Sequence, residues 1–264
     1  MIERGMSSKR FEPRVYFVGA GPGAVDLLTV RALRVLARAD FVLHDALVDA
    51  AVLELAPSAT RIAVGKRAQL PSTAQRFINK MLVDCARKAA CVVRLKGGDP
   101  AIFGRLDEEM HALRAAGITF EVVPGITAAS AAAAELQVSL TLRGVARAVT
   151  FLTPCVCDEH DDATWAPAIE SLRAGGSLGV YMAGRHIAAT AQRLIENGQL
   201  AATPIAVLES VSLADSRSWI GTLAMAAASP ADIGDGPVML LIGEALRGAL
   251  ERSSKIHDVM VRAA

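Results

Sequence analysis

The sequence predicts an α/β protein of two domains, each built on a mostly parallel β-sheet. Three observations carry that expectation. The chain has 264 residues, against roughly 100–150 for a single domain. Short apolar runs alternate with segments of helical period along most of its length, the pattern of parallel strands joined by helical crossovers. Three of the strand-to-helix junctions are glycine loops, at Gly19, at Gly97 and at Gly125.

Taken in order, Val15 to Ala20 is an apolar run stopped by Gly19-Ala-Gly-Pro-Gly23, a strand entering a tight turn. Leu27, Leu28, Ala32, Leu33, Leu36 and Ala37 then recur at helical spacing. Asp40 breaks the period, and Phe41 to Leu43 reads as a second strand, followed by another at Arg61 to Gly65. Gln75 to Ala90 is helical, with Phe77, Ile78, Leu82 and Ala86 on one face. Cys91 to Leu95 is a strand that ends in Lys96-Gly-Gly-Asp-Pro100. A helix at Glu108 to Ala116, a strand at Thr119 to Val123 and a small-residue helix reaching Ala134 follow. Later strands are expected at Val149 to Thr153, Ser177 to Ala183, Pro204 to Glu209, Ser218 to Thr222 and Pro237 to Gly243, with a helix at Ile187 to Asn197. The domains are therefore drawn as a disordered tail (1–14), an N-terminal α/β domain (15–143), a C-terminal α/β domain (144–246) and a C-terminal tail (247–264).

Composition narrows the class. Hydrophobic residues make up 52%, enough for two cores, and the formal charge of +1 argues against a nucleic-acid-binding surface. Arginine outnumbers lysine, 22 to 6, which suits recognition of carboxylates. Four cysteines form no secreted-type disulfide framework. No apolar run reaches the roughly 18 residues of a membrane span, and the polar start carries no signal peptide. A soluble cytoplasmic enzyme is the expectation.

Each loop has a plain reading beside the functional one. Gly19, Gly21 and Gly23 invite a dinucleotide reading, but the spacing is G-x-G-x-G, Pro22 stiffens the turn, and Asp40 precedes the second strand. Gly97, Gly98 and Asp99 stand where α/β folds place ligands, and an ordinary β-turn also fits them. The alanines after Thr127 leave room for a ligand or for close helix packing. Cys155, Cys157 and His160 offer three metal-type donors with no fourth nearby, so no metal is expected.

In combination the loops are more specific. Val18-Gly-Ala-Gly-Pro-Gly23, Val64-Gly-Lys-Arg67, Val93-Arg-Leu-Lys-Gly-Gly-Asp-Pro100 with Phe103-Gly-Arg105, Val122 to Ala131 and Tyr181-Met182 closely resemble the tetrapyrrole (corrin/porphyrin) methylases in order and spacing. The resemblance runs from about Val15 to Gly243. Within the family it is nearest to the uroporphyrinogen-III C-methyltransferases. It implies two α/β domains with the active site in the cleft between them, a homodimer, and S-adenosylmethionine as cofactor. It further implies C-methylation of uroporphyrinogen III to precorrin-2, toward siroheme or cobalamin. Carried over residue by residue, Pro22, Gly97, Gly98, Asp99, Ile102, Thr127, Ala128 and Met182 would contact the cofactor. Asp45 and Lys66 would be the acid/base pair, and Arg94 and Arg105 would hold the carboxylates of the tetrapyrrole. The chain departs from the family pattern on the substrate side, with His44 in place of a tyrosine and Leu106-Asp107 in place of a glycine pair. A methylase of a later precorrin, or a binding protein without turnover, is the alternative.

Overall fold

The computed structural model describes residues 14–65, 75–154, 162–229 and 233–253. Its contacts divide the chain into two units, one holding residues up to Gly21 and Val25–Gly125, the other Pro22–Ala24 and residues from Ile126 on.

The first unit carries five parallel strands in the order β3-β2-β4-β1-β5: β1 (Val15–Gly19), β2 (Phe41–His44), β3 (Thr60–Ala63), β4 (Val92–Lys96) and β5 (Phe120–Val123). All four pairings are parallel, so every strand points its carboxyl end to the same edge. Helices cover both faces. On one, α1 (Val30–Leu36) and α2 (Ala50–Glu54) pack Ala32, Val35, Leu36 and Val52 against Tyr16, Val18, Val42, Val93 and Leu95. On the other, α3 (Gln75–Lys88) and α4 (Leu106–Ala115) pack Ile78, Leu82, Ala86 and Leu113 against Val15, Phe17, Leu43 and Val92. The period of two along β4 thus puts Val93 and Leu95 on the α1 face and Arg94 and Lys96 on the α4 face. All five residues of β4 are buried, which places two cations inside.

The second unit holds a sheet of order β6-β7-β10-β8-β9: β6 (Val149–Leu152), β7 (Ser177–Tyr181), β8 (Pro204–Glu209), β9 (Arg217–Thr222) and β10 (Val238–Ile242). Only β6–β7 is parallel; β7–β10, β10–β8 and β8–β9 are antiparallel. The α/β class holds, but the mostly parallel arrangement expected of both sheets is confined to the first. The reason is local. A short loop lets β9 fold back on β8, whereas a parallel pairing needs a long crossover. One face carries α6 (Asp162–Arg173), α7 (Ile187–Glu196) and α8 (Leu223–Ala228), the other α5 (Ala128–Glu135).

Helix α5 explains where the contacts divide the chain. Its alanines 129 and 131–133 pack on Ala206, Leu208, Met239 and Leu241 of the second sheet. The break falls at Gly125, ahead of the 143/144 link expected from sequence. Likewise residues 247–253, expected as tail, are helical, and Arg252 donates from Nη2 to the Leu136 carbonyl at 3.2 Å.

Candidate active site

The carboxyl edge of a parallel sheet is where open α/β folds bind ligands. In the first unit three glycine loops meet there with almost no space between them. A Cβ on Gly19 would lie 2.6 Å from the Gly125 Cα and 2.7 Å from the Gly98 oxygen. One on Gly125 would lie 2.3 Å from that same oxygen. The loops after β1, β4 and β5 therefore touch backbone to backbone, which only glycine permits. Gly21 and Gly98 exchange hydrogen bonds, N to O at 3.2 Å one way and 2.7 Å the other. Gly98 has φ +65°, in the left-handed region. Gly97 differs from its neighbours: it is exposed, and an added Cβ would meet nothing within 4 Å. It presents bare backbone to open space.

Asp99 ties this edge together. Its Oδ1 accepts from the Ala101 N–H at 2.8 Å and its Oδ2 from the Gly125 N–H at 3.0 Å. Expected as a cofactor ligand, it has both oxygens engaged in bracing two loops. Ile102 is half-buried in the turn that follows. Phe103 and Arg105, both at φ +52°, flank Gly104, whose Cβ would sit 2.5 Å from the Pro100 carbonyl oxygen. The chain is held in an uncommon conformation there to make a tight reversal.

Asp45 leaves the end of β2 at the same edge. Gly65 packs beneath it, with an added Cβ 2.3 Å from the Ala46 nitrogen and 2.7 Å from the Asp45 Cα. That contact accounts for the Val64-Gly65 pair seen in the sequence. The Asp45 carboxylate is 31% exposed, and its Oδ1 accepts from Arg94 Nη2 at 2.5 Å. Lys66, its expected partner, lies outside the described residues.

Arg94 is where the structure departs most from expectation. It was assigned to the carboxylates of a substrate, yet it is 2% exposed. Its guanidinium reaches four acceptors: Glu109 Oε1 at 2.9 Å, the Leu43 and Leu95 carbonyls at 3.4 and 3.1 Å, and Asp45. Such a group faces inward and holds the fold and Asp45 in place. Arg105 is exposed and grips Glu108 with two bonds of 2.7 and 2.9 Å.

Two participants were missed from sequence. Glu109 on α4 is fully buried, with Oε2 accepting from Lys96 Nζ at 3.1 Å and Oε1 from Arg94 and from Gln75 Nε2. Burial, then the neighbouring Arg94, pushes the Lys96 ammonium below its ordinary pKa, while Glu109 and Asp45 pull it back up. The available signal was parity: Arg94 and Lys96 share one face of a buried strand and require a buried anion.

In the second unit, Thr127 precedes α5 and its hydroxyl meets the Tyr181 hydroxyl at 2.6 Å. Ala128 begins the helix, half-buried. Met182 follows β7 with φ +56° and is 59% exposed, an unusual combination for a large apolar side chain. Pro22 is half-buried beside Gly23, where a Cβ would lie 2.7 Å from Leu213. The neighbouring Ala24 N–H donates to Ser212 Oγ at 3.0 Å. The loop after β8 holds that turn with Ser210 and Ser212 at φ +52° and +70°. Cys155, Cys157 and His160 lie outside the described residues.

Comparison with known proteins places this geometry. The family model of the Tetrapyrrole (Corrin/Porphyrin) Methylases matches residues 14–227. A siroheme synthase of Azotobacter vinelandii is 45% identical over 235 residues, covering 88% of this chain and 50% of that protein. One of Serratia proteamaculans is 43% identical over 242 residues, 90% of this chain and 49% of that protein. The chain thus spans about half the length of the curated relatives it matches. Among solved structures, a uroporphyrin-III C-methyltransferase of Thermus thermophilus, complexed with S-adenosylhomocysteine, superimposes with a TM-score of 0.76. It is 34% identical, with 89% of this chain and 99% of that one covered. The chain belongs to the tetrapyrrole methylase family.

Proposed function

We propose that this tetrapyrrole methylase carries out the S-adenosylmethionine-dependent C-methylation of uroporphyrinogen III to precorrin-2. The observation that carries the reading is a partly exposed carboxylate, Asp45, fixed by a buried arginine at the edge where the glycine loops converge. The likeness to a Thermus thermophilus methyltransferase crystallised with S-adenosylhomocysteine supports the choice of cofactor.

The residues present fit that cofactor. Gly97 offers exposed backbone with the space a side chain would fill, and a ligand with polar ends suits such main-chain contacts. In the first unit the cofactor contacts are assigned to Gly97, Gly98 and Ile102, with Asp99 acting through the loops it braces. In the second unit they are assigned to Pro22, Thr127, Ala128 and Met182. When bound, S-adenosylmethionine supplies an activated methyl group.

The chain's own residues do the rest. An electron-rich pyrrole carbon that gains a methyl group leaves its ring cationic, and the ring must then lose a proton. Asp45 stabilises that charge or accepts the proton, and Arg94 keeps its carboxylate aimed. Arg105, on the surface, is the remaining arginine candidate for a propionate, since its two bonds go to a Glu108 that is also exposed and can be exchanged.

Methyl transfer measured over a panel of porphyrinogens tests the substrate. Turnover with uroporphyrinogen III is expected; turnover only with a later precorrin, or none, would overturn the reading. Asp45→Asn tests the residue: both ligands should still bind while turnover falls about 10²-fold or more.

A further inference from the structure

The two buried cations and the buried anion behind Asp45 are a problem for stability. Replacing such a cluster with apolar side chains is often neutral or stabilising, so its presence calls for another reason. Its layout supplies one. Lys96 Nζ and Arg94 Nε divide the two oxygens of Glu109, at 3.1 and 2.9 Å, and all three side chains are at least 96% buried. Gln75 adds a third donor to Glu109 at 3.2 Å, and is itself held by Asn79 Oδ1 at 2.9 Å. The far end of Arg94 emerges at Asp45, the one charged member of the cluster among the described residues with solvent access. The exposed carboxylate therefore ends a line of ionic bonds whose other members are sealed in the core.

We propose that Lys96 and Glu109 are positioning residues that, through Arg94, fix and tune the carboxylate of Asp45. Glu109 competes with Asp45 for the one guanidinium, and Lys96 relieves that competition by taking up the second oxygen of Glu109. The charged and titratable groups around Asp45 among the described residues are Arg94 and Lys96 on β4, Glu109 on α4, and His44, whose Nδ1 lies 3.1 Å from the Asp45 carbonyl oxygen. The balance is two cations against two carboxylates. Removing one member must change how strongly the remainder holds a negative charge at position 45. The catalytic meaning of this tuning rests on the proposed role of Asp45; the coupling itself does not.

Two substitutions should act in opposite directions. Lys96→Met leaves Glu109 to draw on Arg94 alone, which weakens the bond from Arg94 to Asp45 and should speed exchange of the Arg94 guanidinium protons with water. Glu109→Gln removes the competitor and should slow it. A change of about threefold each way is expected for groups in direct contact. Nitrogen-15 NMR of the Arg94 guanidinium, in the protein free of cofactor and substrate, reads the exchange directly. Opposite changes support the proposal; equal directions, or no change in either variant, overturn it. If Glu109→Gln fails to fold, Lys96→Met decides alone: faster exchange supports, no change or slower exchange overturns. Turnover is read separately, and Arg94→Lys should lower kcat with KM nearly unchanged, since a lysine keeps the charge and loses the fork. Normal turnover by Asp45→Asn would sink the catalytic reading while leaving the NMR result to judge the coupling.

Discussion

Asp99→Ala separates a ligand contact from a structural brace. In the structure the carboxylate accepts two backbone N–H groups, one in its own turn and one across at Gly125. A hydrogen bond to a charged group contributes about 1.5–3 kcal/mol. Asp99 is half-buried, so water recovers part of the loss, and the pair should cost about 2–4 kcal/mol. For a unit of this size that lowers the thermal midpoint by roughly 6–15 °C. Scanning calorimetry of the parent and of Asp99→Ala reads the shift, and titration calorimetry with S-adenosylmethionine reads affinity. Asp99→Asn keeps one carbonyl oxygen and should recover about half the loss in midpoint. A midpoint unchanged to within about 1 °C, together with at least tenfold weaker cofactor binding, or about 1.4 kcal/mol, would refute the bracing argument. It would make Asp99 a direct ligand.

The other predictions concern neighbouring features. Gly125→Ala forces a methyl group to within 2.3 Å of a backbone oxygen; since overpacking typically costs about 1–3 kcal/mol, urea unfolding should show a loss at or above the upper end. Gly97→Ala meets nothing, so unfolding should hardly change while S-adenosylmethionine affinity falls at least tenfold. Equal affinity would move the cofactor off this backbone. Glu209 accepts the Gly234 and Gly236 N–H groups at 2.9 and 2.7 Å, and the Gly234 bond above all, then that of Gly236, holds its carboxyl below the ordinary glutamate pKa. The sign follows from the depressed folded-state value: this stabilisation is complete above the unfolded value near ~4.3 and is lost as pH falls through the lower folded value. Comparing unfolding at pH 7 and in that acid range, Glu209→Gln should lose stability at neutral pH and show a weaker acid dependence than the parent.

Much of the fold was legible because the first sheet is regular. Most of its strands are short, mainly apolar runs, and the loops after β1, β4 and β5 carry glycine, so Gly19, Gly97 and Gly125 marked that edge before any contact was known. The missed helices were short or irregular. Helix α2 has five residues and α8 six, and α6 contains Pro167, which interrupts the pattern that reveals a helix. The antiparallel pairings of the second sheet left no mark either, because an apolar run does not show its direction. At the site, position was more legible than role. Arg94 reads from sequence as a cation at a strand end, and only the pairing with Glu109 shows that it faces inward. Glu109 was hidden by Asp107 and Glu108 beside it, an acidic run that looks like a solvated helix face until α4 turns its third member into the core.

The meeting of Gly19, Gly98 and Gly125 has a practical bearing on how this chain is mapped by mutation. An alanine scan scored by activity would flag all three, although at Gly19 and Gly125 the backbone contact alone accounts for the loss. Their sensitivity reports a shared contact among segments spread over more than a hundred residues of sequence. Because the same collision is felt at Gly19 and at Gly125, the cost of the second change should be smaller once the first has opened the gap. At position 97 the scan signal would come from ligand approach alone, whereas at position 98 it would mix ligand approach with backbone conformation. Only a scan read for both binding and unfolding tells them apart.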